Sequence, residues 1–240
     1  MPRDPLREAL AVWGCAFAGL AAVALLGRAV PILGQLTSAA AVAAFLVVPT
    51  RLLERRGQEP RDAGLRFERW GRDAAWAVAV CAVVLPPFAF AFVHFVDLLP
   101  RLPPGLRGWL APYVGAAHPL RFALPTTLSG AGDLAGRIAG NAAVALSEEY
   151  FYRGYLTLRL EEAFPPRLRI LGAKVGGAAV LAAALFAVGH LLVPAPWRLA
   201  VFFPALVFAW LRARTGTVVS AAICHFLFNL FLLALESAAY

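Results

Sequence analysis

The chain is dominated by apolar segments of roughly 20 residues, each long enough to cross a lipid bilayer as a helix. A hydrocarbon core is about 30 Å thick and a helix rises ~1.5 Å per residue, so one such segment spans it. Of the 240 residues, 61% are hydrophobic and 15% are charged, whereas a soluble domain is nearer half apolar and about a quarter charged. The sequence therefore predicts an all-α fold, a polytopic transmembrane helix bundle.

Seven candidate spans follow one another, with eight as the alternative because the loop between the third and fourth spans is long. No internal repeat or low-complexity linker divides the sequence, so we expect a single membrane-embedded domain over residues 1–240. The predicted spans cover about residues 9–27, 29–50, 74–96, 131–160, 171–193, 197–213 and 216–235.

Basic residues flank these spans unevenly. The segment 51–73 holds seven arginines, and placing it in the cytoplasm puts 15 of the 22 basic residues on that side and five on the other. Cytoplasmic loops carry such an excess, so we expect a cytoplasmic N-terminus and interpret the net charge of +8 as topology, not as nucleic-acid binding. Only Lys174 is a lysine, which indicates a GC-rich bacterial genome and hence the bacterial inner membrane.

Within the fourth span, the stretch SEEYFYRGYL places three charges in an apolar helix. Burying such groups costs several kcal/mol unless they are paired or hydrated. Glu149 and Arg153 are four residues apart, the spacing at which opposite charges meet on a helix. Glu148 points about 100° away and has no cation at that spacing. A free carboxylate in such surroundings is suited to act as a general base or acid, unless the cluster is merely solvated at a helix end.

Two later spans add polar side chains. His190 ends the run FAVGH in the fifth span, and His225 and Asn229 share one face of the seventh. Helix–helix hydrogen bonding, which is common in membranes, explains His225 and Asn229 equally well and explains a lone histidine such as His190 better than catalysis does. Taken together, however, a free carboxylate, two histidines and an amide on three helices could activate water and stabilise an oxyanion.

We predict no catalytic role for four other polar residues in or next to the predicted spans. Arg137 and Asn141 share a face of the fourth span, and we expect them to line an access route or to bind backbone. His94 lies at the end of the third span and His118 in the following loop, and neither is predicted to be functional.

At these positions the sequence resembles the CAAX-protease and bacteriocin-processing (CPBP, or Abi) family of intramembrane endopeptidases. The family pattern is EExxxR, then FxxxH, then HxxxN or HxxxB, each on a transmembrane helix. The chain has Glu148, Glu149 and Arg153, then Phe186 to His190, then His225 to Asn229, in that order. The resemblance covers a catalytic core of residues 130–235.

The resemblance implies a role for each residue. Glu148, assisted by His190, would polarise the attacking water. His225 and Asn229 would hold the developing oxyanion, and Glu149 with Arg153 would orient the helix. We expect no cofactor. The alternative is a zinc ion held by Glu148, His190 and His225, which is a plausible ligand set, although no HExxH motif is present.

The expected substrate is a membrane-anchored protein or peptide in the lipid bilayer, cleaved near its C-terminus. Bacterial relatives that cut C-terminal sorting signals, the myxosortase-like group, make such a tail the first choice, and bacteriocin or pheromone precursors the second. Two non-protease functions remain open. Glu and His side chains also relay protons in transporters, and a non-catalytic membrane scaffold or immunity protein could retain the same residues.

Overall fold

The computed structural model describes residues 4–110, 128–193 and 195–239. Within these residues the protein is a bundle of α-helices with one two-stranded hairpin, so the predicted all-α bundle is confirmed. The helices are α1 (Pro5–Ala29), α2 (Pro31–Glu54), α3 (Trp70–Leu98), α4 (Pro104–Leu110), α5 (Leu128–Glu149), α6 (Thr157–Ala163), α7 (Gly177–Gly189), α8 (Phe202–Thr215) and α9 (Val218–Ala239).

Four of the described helices are long and apolar enough to cross a membrane. They are α1, α2, α3 over Trp70–Phe92 and α9 over Val218–Leu235. The region Gly177–Leu192 is a shorter apolar helix. The seven predicted spans each coincide with a helical segment, with ends that differ by a few residues. The number of segments that cross the bilayer stays a prediction.

The first two helices form a tight antiparallel hairpin. Asp4 caps α1, its side chain accepting a hydrogen bond from the Leu6 N–H at 3.0 Å, and Val30 alone separates α1 from α2. The two backbones approach so closely that a Cβ atom on Gly27 would lie 2.6 Å from the Gly34 Cα. Only glycine allows this crossing.

The centre of the bundle is one continuous helical rod. It begins as α5, widens into a π-helical segment over Tyr150–Leu156, and continues as α6. All seven residues of the π segment are buried, and Thr157 donates a hydrogen bond back to the Tyr152 carbonyl at 2.8 Å, which helps to close the wide turn. Such π segments occur frequently at functional sites, and this one directly follows the two glutamates.

The predicted fifth span was wrong at its start. The predicted start at residue 171 falls in a hairpin, β1 (Leu168–Ile170) paired antiparallel with β2 (Ala173–Val175), and α7 begins only at Gly177. The hairpin turn has positive φ at both Leu171 (+44°) and Gly172 (+83°), as two-residue turns between antiparallel strands require. The indole N–H of Trp210 on α8 donates to the Ile170 carbonyl at 2.9 Å and fixes the hairpin to the bundle.

Several of the segments predicted to face the cytoplasm meet at one end of the bundle. Glu8 near the N-terminus contacts both Arg56, in the loop after α2, and Arg159 on α6. The Gly64 carbonyl of the same loop accepts a hydrogen bond from the Val218 N–H at the start of α9, at 2.9 Å. The arginine-rich segments therefore share one end, as a common orientation in the membrane requires.

Candidate active site

Glu149 is fully buried and joins two helices. Its Oε1 atom accepts a hydrogen bond from Arg153 Nη1 at 2.8 Å, the contact expected from their spacing. The same oxygen accepts a second hydrogen bond from His225 Nδ1 on α9 at 2.9 Å. Glu149 therefore fixes the position of a proposed catalytic imidazole as well as that of its own helix, a contact that the sequence analysis missed.

His225 lies between the two adjacent glutamates. With Nδ1 directed at Glu149, its Nε2 atom faces the neighbouring carboxylate and lies 3.7 Å from Glu148 Oε2. The His225 side chain is 7% exposed and that of Glu148 is 18% exposed. An imidazole donates from both nitrogens only when it is doubly protonated. Because Nδ1 donates to Glu149, Nε2 can donate to a reacting group in the doubly protonated ring and can only accept from it in the singly protonated ring.

Aromatic rings enclose this ion-paired centre. The Phe208 ring on α8 stacks on the His225 imidazole, with 4.9 Å between the ring centroids. Phe186 on α7 lies 4.4 Å below the guanidinium carbon of the fully buried Arg153. Arg153 also donates to the Ala205 carbonyl at 3.2 Å. A cation over an aromatic face is stabilised by the ring quadrupole, so Arg153 links α5, α7 and α8 around Glu149.

His190 is the first residue after α7, where the helix tightens into a 3₁₀ turn over His190–Leu192. Its Nδ1 atom lies 2.9 Å from the Phe186 carbonyl. A carbonyl can only accept, so Nδ1 carries the proton and donates, and Nε2 stays available. The preceding Gly189 lies against the Tyr152 hydroxyl, which would be only 2.8 Å from an added Cβ atom. This close packing fixes the end of α7 beside the π segment.

Glu148 and His190 line the same cavity of about 250 Å³. Spans drawn from hydropathy alone place Glu148 deep along the fourth span and His190 near the outer end of the fifth, so the two residues would lie at different depths in the membrane. The structure brings them to one cavity because α7 is short and ends just before His190, while Glu148 lies in the middle of the long α5–α6 rod.

Much of the cavity wall comes from the N-terminal half of the chain, for which the sequence offered only hydrophobicity. The residues of α1 and α2 that line it with Glu148 and His190 are Trp13, Ala16, Phe17, Leu20, Thr37, Ser38, Ala41 and Phe45. A signal for this role is hard to find in the sequence, because apolar residues facing a cavity and apolar residues facing lipid look alike.

Asn229 lies one turn beyond His225 on α9 and is half-buried. Within the described ranges its side chain has no hydrogen-bond partner, so its amide is free to donate to another group. The predicted site residues on α5, α7 and α9 are thus brought close by the fold, with direct contacts among Glu148, Glu149, Arg153 and His225.

The zinc alternative requires Glu148, His190 and His225 to lie around one point. Among the described residues, no three His, Cys, Asp or Glu side chains are grouped closely enough to hold a metal ion. Glu148 and His225 approach each other, but His190 does not complete a three-ligand set with them. A metal-bound histidine typically donates its other ring N–H to a carboxylate, as His225 Nδ1 does to Glu149. The same contact also orients a histidine in a general acid–base site.

The remaining polar residues lie away from this centre. Asn141 donates to the Arg137 carbonyl at 2.9 Å on an exposed face of α5, so it binds backbone, one of the two roles expected. His94 is exposed and lies 3.4 Å from Asp97. His118 lies outside the described residues.

A comparison with known protein families gives a match over the C-terminal part of the chain. The family model for type II CAAX prenyl endopeptidase Rce1-like proteins matches residues 130–231, a segment that contains every proposed site residue. Neither a curated protein nor a solved structure matches the chain at a significant level. The match confirms the resemblance seen in the motifs and, with the long apolar helices, indicates an integral membrane protein. Residues 130–231 are therefore similar to the Rce1-like, type II CAAX prenyl endopeptidases, a family of proteases.

Proposed function

We propose that the protein is a glutamic-type intramembrane endopeptidase that hydrolyses a peptide bond in a membrane-associated substrate. The observation that carries this proposal is the convergence of three side chains. Glu148 and His190 line one cavity, and His225 Nε2 lies 3.7 Å from Glu148 Oε2. A carboxylate and two imidazoles at such range are suited to move a proton and to stabilise charge.

In the proposed reaction, Glu148, assisted by His190, takes a proton from a water molecule, and the hydroxide attacks the peptide carbonyl carbon. The carbonyl oxygen becomes an oxyanion that accepts hydrogen bonds from the Asn229 amide and from His225 Nε2–H, the latter in the doubly protonated imidazole that also donates to Glu149. The protonated Glu148 then gives its proton to the leaving nitrogen, the C–N bond breaks, and a carboxylate and an amine are released. A preorganised oxyanion donor contributes roughly 10²–10³-fold to such a rate.

Glu149 and Arg153 hold the other groups in place. Glu149 accepts from His225 Nδ1–H, and Arg153 donates to the same Glu149 oxygen and holds the carboxylate in place. The catalytic type follows from this assignment, because water is activated by a side chain and no metal is required. Activity that survives exhaustive chelation would support the glutamic type, and loss of activity that zinc restores would overturn it.

The favoured substrate is a membrane-anchored protein with a cleavable tail near its C-terminus, and a bacteriocin or pheromone precursor is the second choice. We place the protein in a bacterial inner membrane with a cytoplasmic N-terminus, following the excess of basic residues at one end.

Co-expression with tail-anchored precursor proteins tests the proposal. The wild type is expected to shorten a precursor, and mass spectrometry of the product maps the new C-terminus. The Glu148→Ala variant should accumulate in the membrane at the wild-type level and leave the precursor intact. Normal processing by Glu148→Ala would refute the assignment.

A further inference from the structure

We propose that Arg198 binds the free C-terminal carboxylate of the substrate and so selects peptides that end close to the cleaved bond. This inference rests on the proposed function, since it concerns the same cavity. Arg198 lies outside the family motifs, in the 3₁₀ segment Pro196–Val201 that joins the end of α7 to α8.

The first observation is position. Arg198 lines the cavity that also contains Glu148 and His190, and it lies close enough to His190 to interact with it electrostatically. It belongs to the connection that follows the His190–Leu192 turn, whereas Glu148 lies on the central rod. A ligand in this cavity can therefore contact Arg198 as well as Glu148 and His190.

The second observation is that Arg198 is half-buried without an acidic partner. In the part of the chain that the structure describes, no hydrogen bond or ion pair involves its side chain. The other well-buried arginines differ, since Arg153 pairs with Glu149, Arg159 with Glu162 and Arg212 with Glu161. A partly desolvated guanidinium with free donors is a binding site for an oxyanion, and a carboxylate matches its planar fork.

The third observation is the composition of the wall. Arg198 is the only arginine or lysine among the described residues that line the cavity, and most of the others are apolar, including Trp13, Phe17, Phe45 and Leu192. The volume of about 250 Å³ is below the ~300–1,000 Å³ typical of pockets for drug-sized ligands. The cavity therefore fits a short apolar segment that ends in a negative charge.

Two sources could supply that charge, a peptide C-terminus and the phosphate of a membrane lipid. Both are oxyanions that a guanidinium binds. We favour the peptide because the cavity that Arg198 lines also holds the groups that would attack a peptide bond. A lipid phosphate in that position would block the route to Glu148.

The test uses the full-length protein and two peptide tails of identical sequence, one ending in a free acid and the other in an amide. The wild type should cleave the acid with a kcat/KM about tenfold to a hundredfold higher, because a hydrogen bond to a charged group is replaced by one to a neutral group. Arg198→Gln should lose most of that preference, because cleavage of the acid should slow much more than cleavage of the amide. Arg198→Lys should restore part of the preference.

Measurable cleavage of the amide by Arg198→Gln shows that this variant is folded. Arg137→Gln is the matched control, since Arg137 is exposed on α5 away from the cavity, and it should keep the full preference. Equal cleavage of acid and amide by the wild type would overturn the inference and leave the proposed function intact. Cleavage of neither tail would overturn the proposed function and the inference with it.

Running the assay both in detergent without phospholipid and in phosphatidylglycerol vesicles separates the two anion sources. If Arg198 binds the peptide carboxylate, the acid preference is present in both media. If it binds lipid phosphate instead, Arg198→Gln changes cleavage of both tails equally and only in the vesicles, which would contradict the inference.

Discussion

His225 Nδ1 donates a hydrogen bond to Glu149 Oε1 across 2.9 Å, although the two residues are 76 positions apart in the chain. This contact fixes the imidazole so that its other nitrogen faces Glu148. Removing the orienting carboxylate of a Ser-His-Asp triad lowers kcat by about 10⁴-fold without moving the other groups. The same logic gives Glu149 a role in catalysis through His225, without contact with the substrate.

Glu149→Gln should lower kcat by roughly 10²-fold or more, because an amide can present its N–H₂ group to His225 and favour the wrong proton arrangement on the ring. KM should change little, since Glu149 is fully buried and does not line the cavity. Steady-state kinetics on protein that elutes as a single species in gel filtration measures both constants. An unchanged kcat would show that Glu149 only stabilises the fold.

Arg153→Met should destabilise the protein strongly. It leaves the buried Glu149 carboxylate with His225 as its only hydrogen-bond partner among the described residues. Breaking a buried ion pair from one side costs about 3–5 kcal/mol, so the variant should unfold at a clearly lower temperature in detergent. Arg137→Met, at an exposed position on the same helix, should melt like the wild type. Equal melting temperatures for the two variants would contradict the assigned role of Arg153.

Gly189→Ala should reduce activity, because the added methyl group would meet the Tyr152 hydroxyl at 2.8 Å and displace either Tyr152 or the adjacent His190. The matched control is Gly140→Ala on an exposed face of α5, where a Cβ meets nothing within 4 Å. That variant should be active and slightly stabilised, by about 0.5–1 kcal/mol at most. Parallel assays of cleavage and thermal unfolding check both. Full activity of Gly189→Ala would show that the position of His190 tolerates a shift.

Asn229→Ala should lower kcat by roughly 10²–10³-fold with little change in KM, the effect of deleting one oxyanion donor. The control variant is Asn141→Ala, which removes an exposed amide that only binds its own helix and should leave the kinetics unchanged. A loss in Asn229→Ala that appears entirely in KM would assign Asn229 to ground-state binding instead.

The parts of this site that follow from local spacing could be predicted from the sequence. The contact of Glu149 with Arg153 and the shared face of His225 and Asn229 depend only on the helical repeat. The contact of Glu149 with His225 could not be predicted, because it depends on how α9 packs against the rod and on the π segment after Glu149. No local pattern specifies either.

The same limit applies to the fold. Hydropathy located the long apolar helices to within a few residues, because their length and composition are strong signals. The start of the fifth span predicted from hydropathy falls in the hairpin around Leu171 and Gly172, because three-residue strands give no periodic signal. Hydropathy also gave no function to α1 and α2, whose inner faces form much of the cavity wall.

The most direct test of the account is the source of the oxygen in the product and its dependence on Glu148. Purified protein is incubated in H₂¹⁸O with a tail substrate that the wild type cleaves, and the new C-terminus is weighed by mass spectrometry. The control Glu68→Gln changes an exposed glutamate in the loop after α2 and should behave as the wild type does. The account predicts ¹⁸O in the new carboxyl group and a rate reduced by roughly 10²–10⁴-fold in Glu148→Gln. Cleavage by Glu148→Gln at the wild-type rate would contradict it.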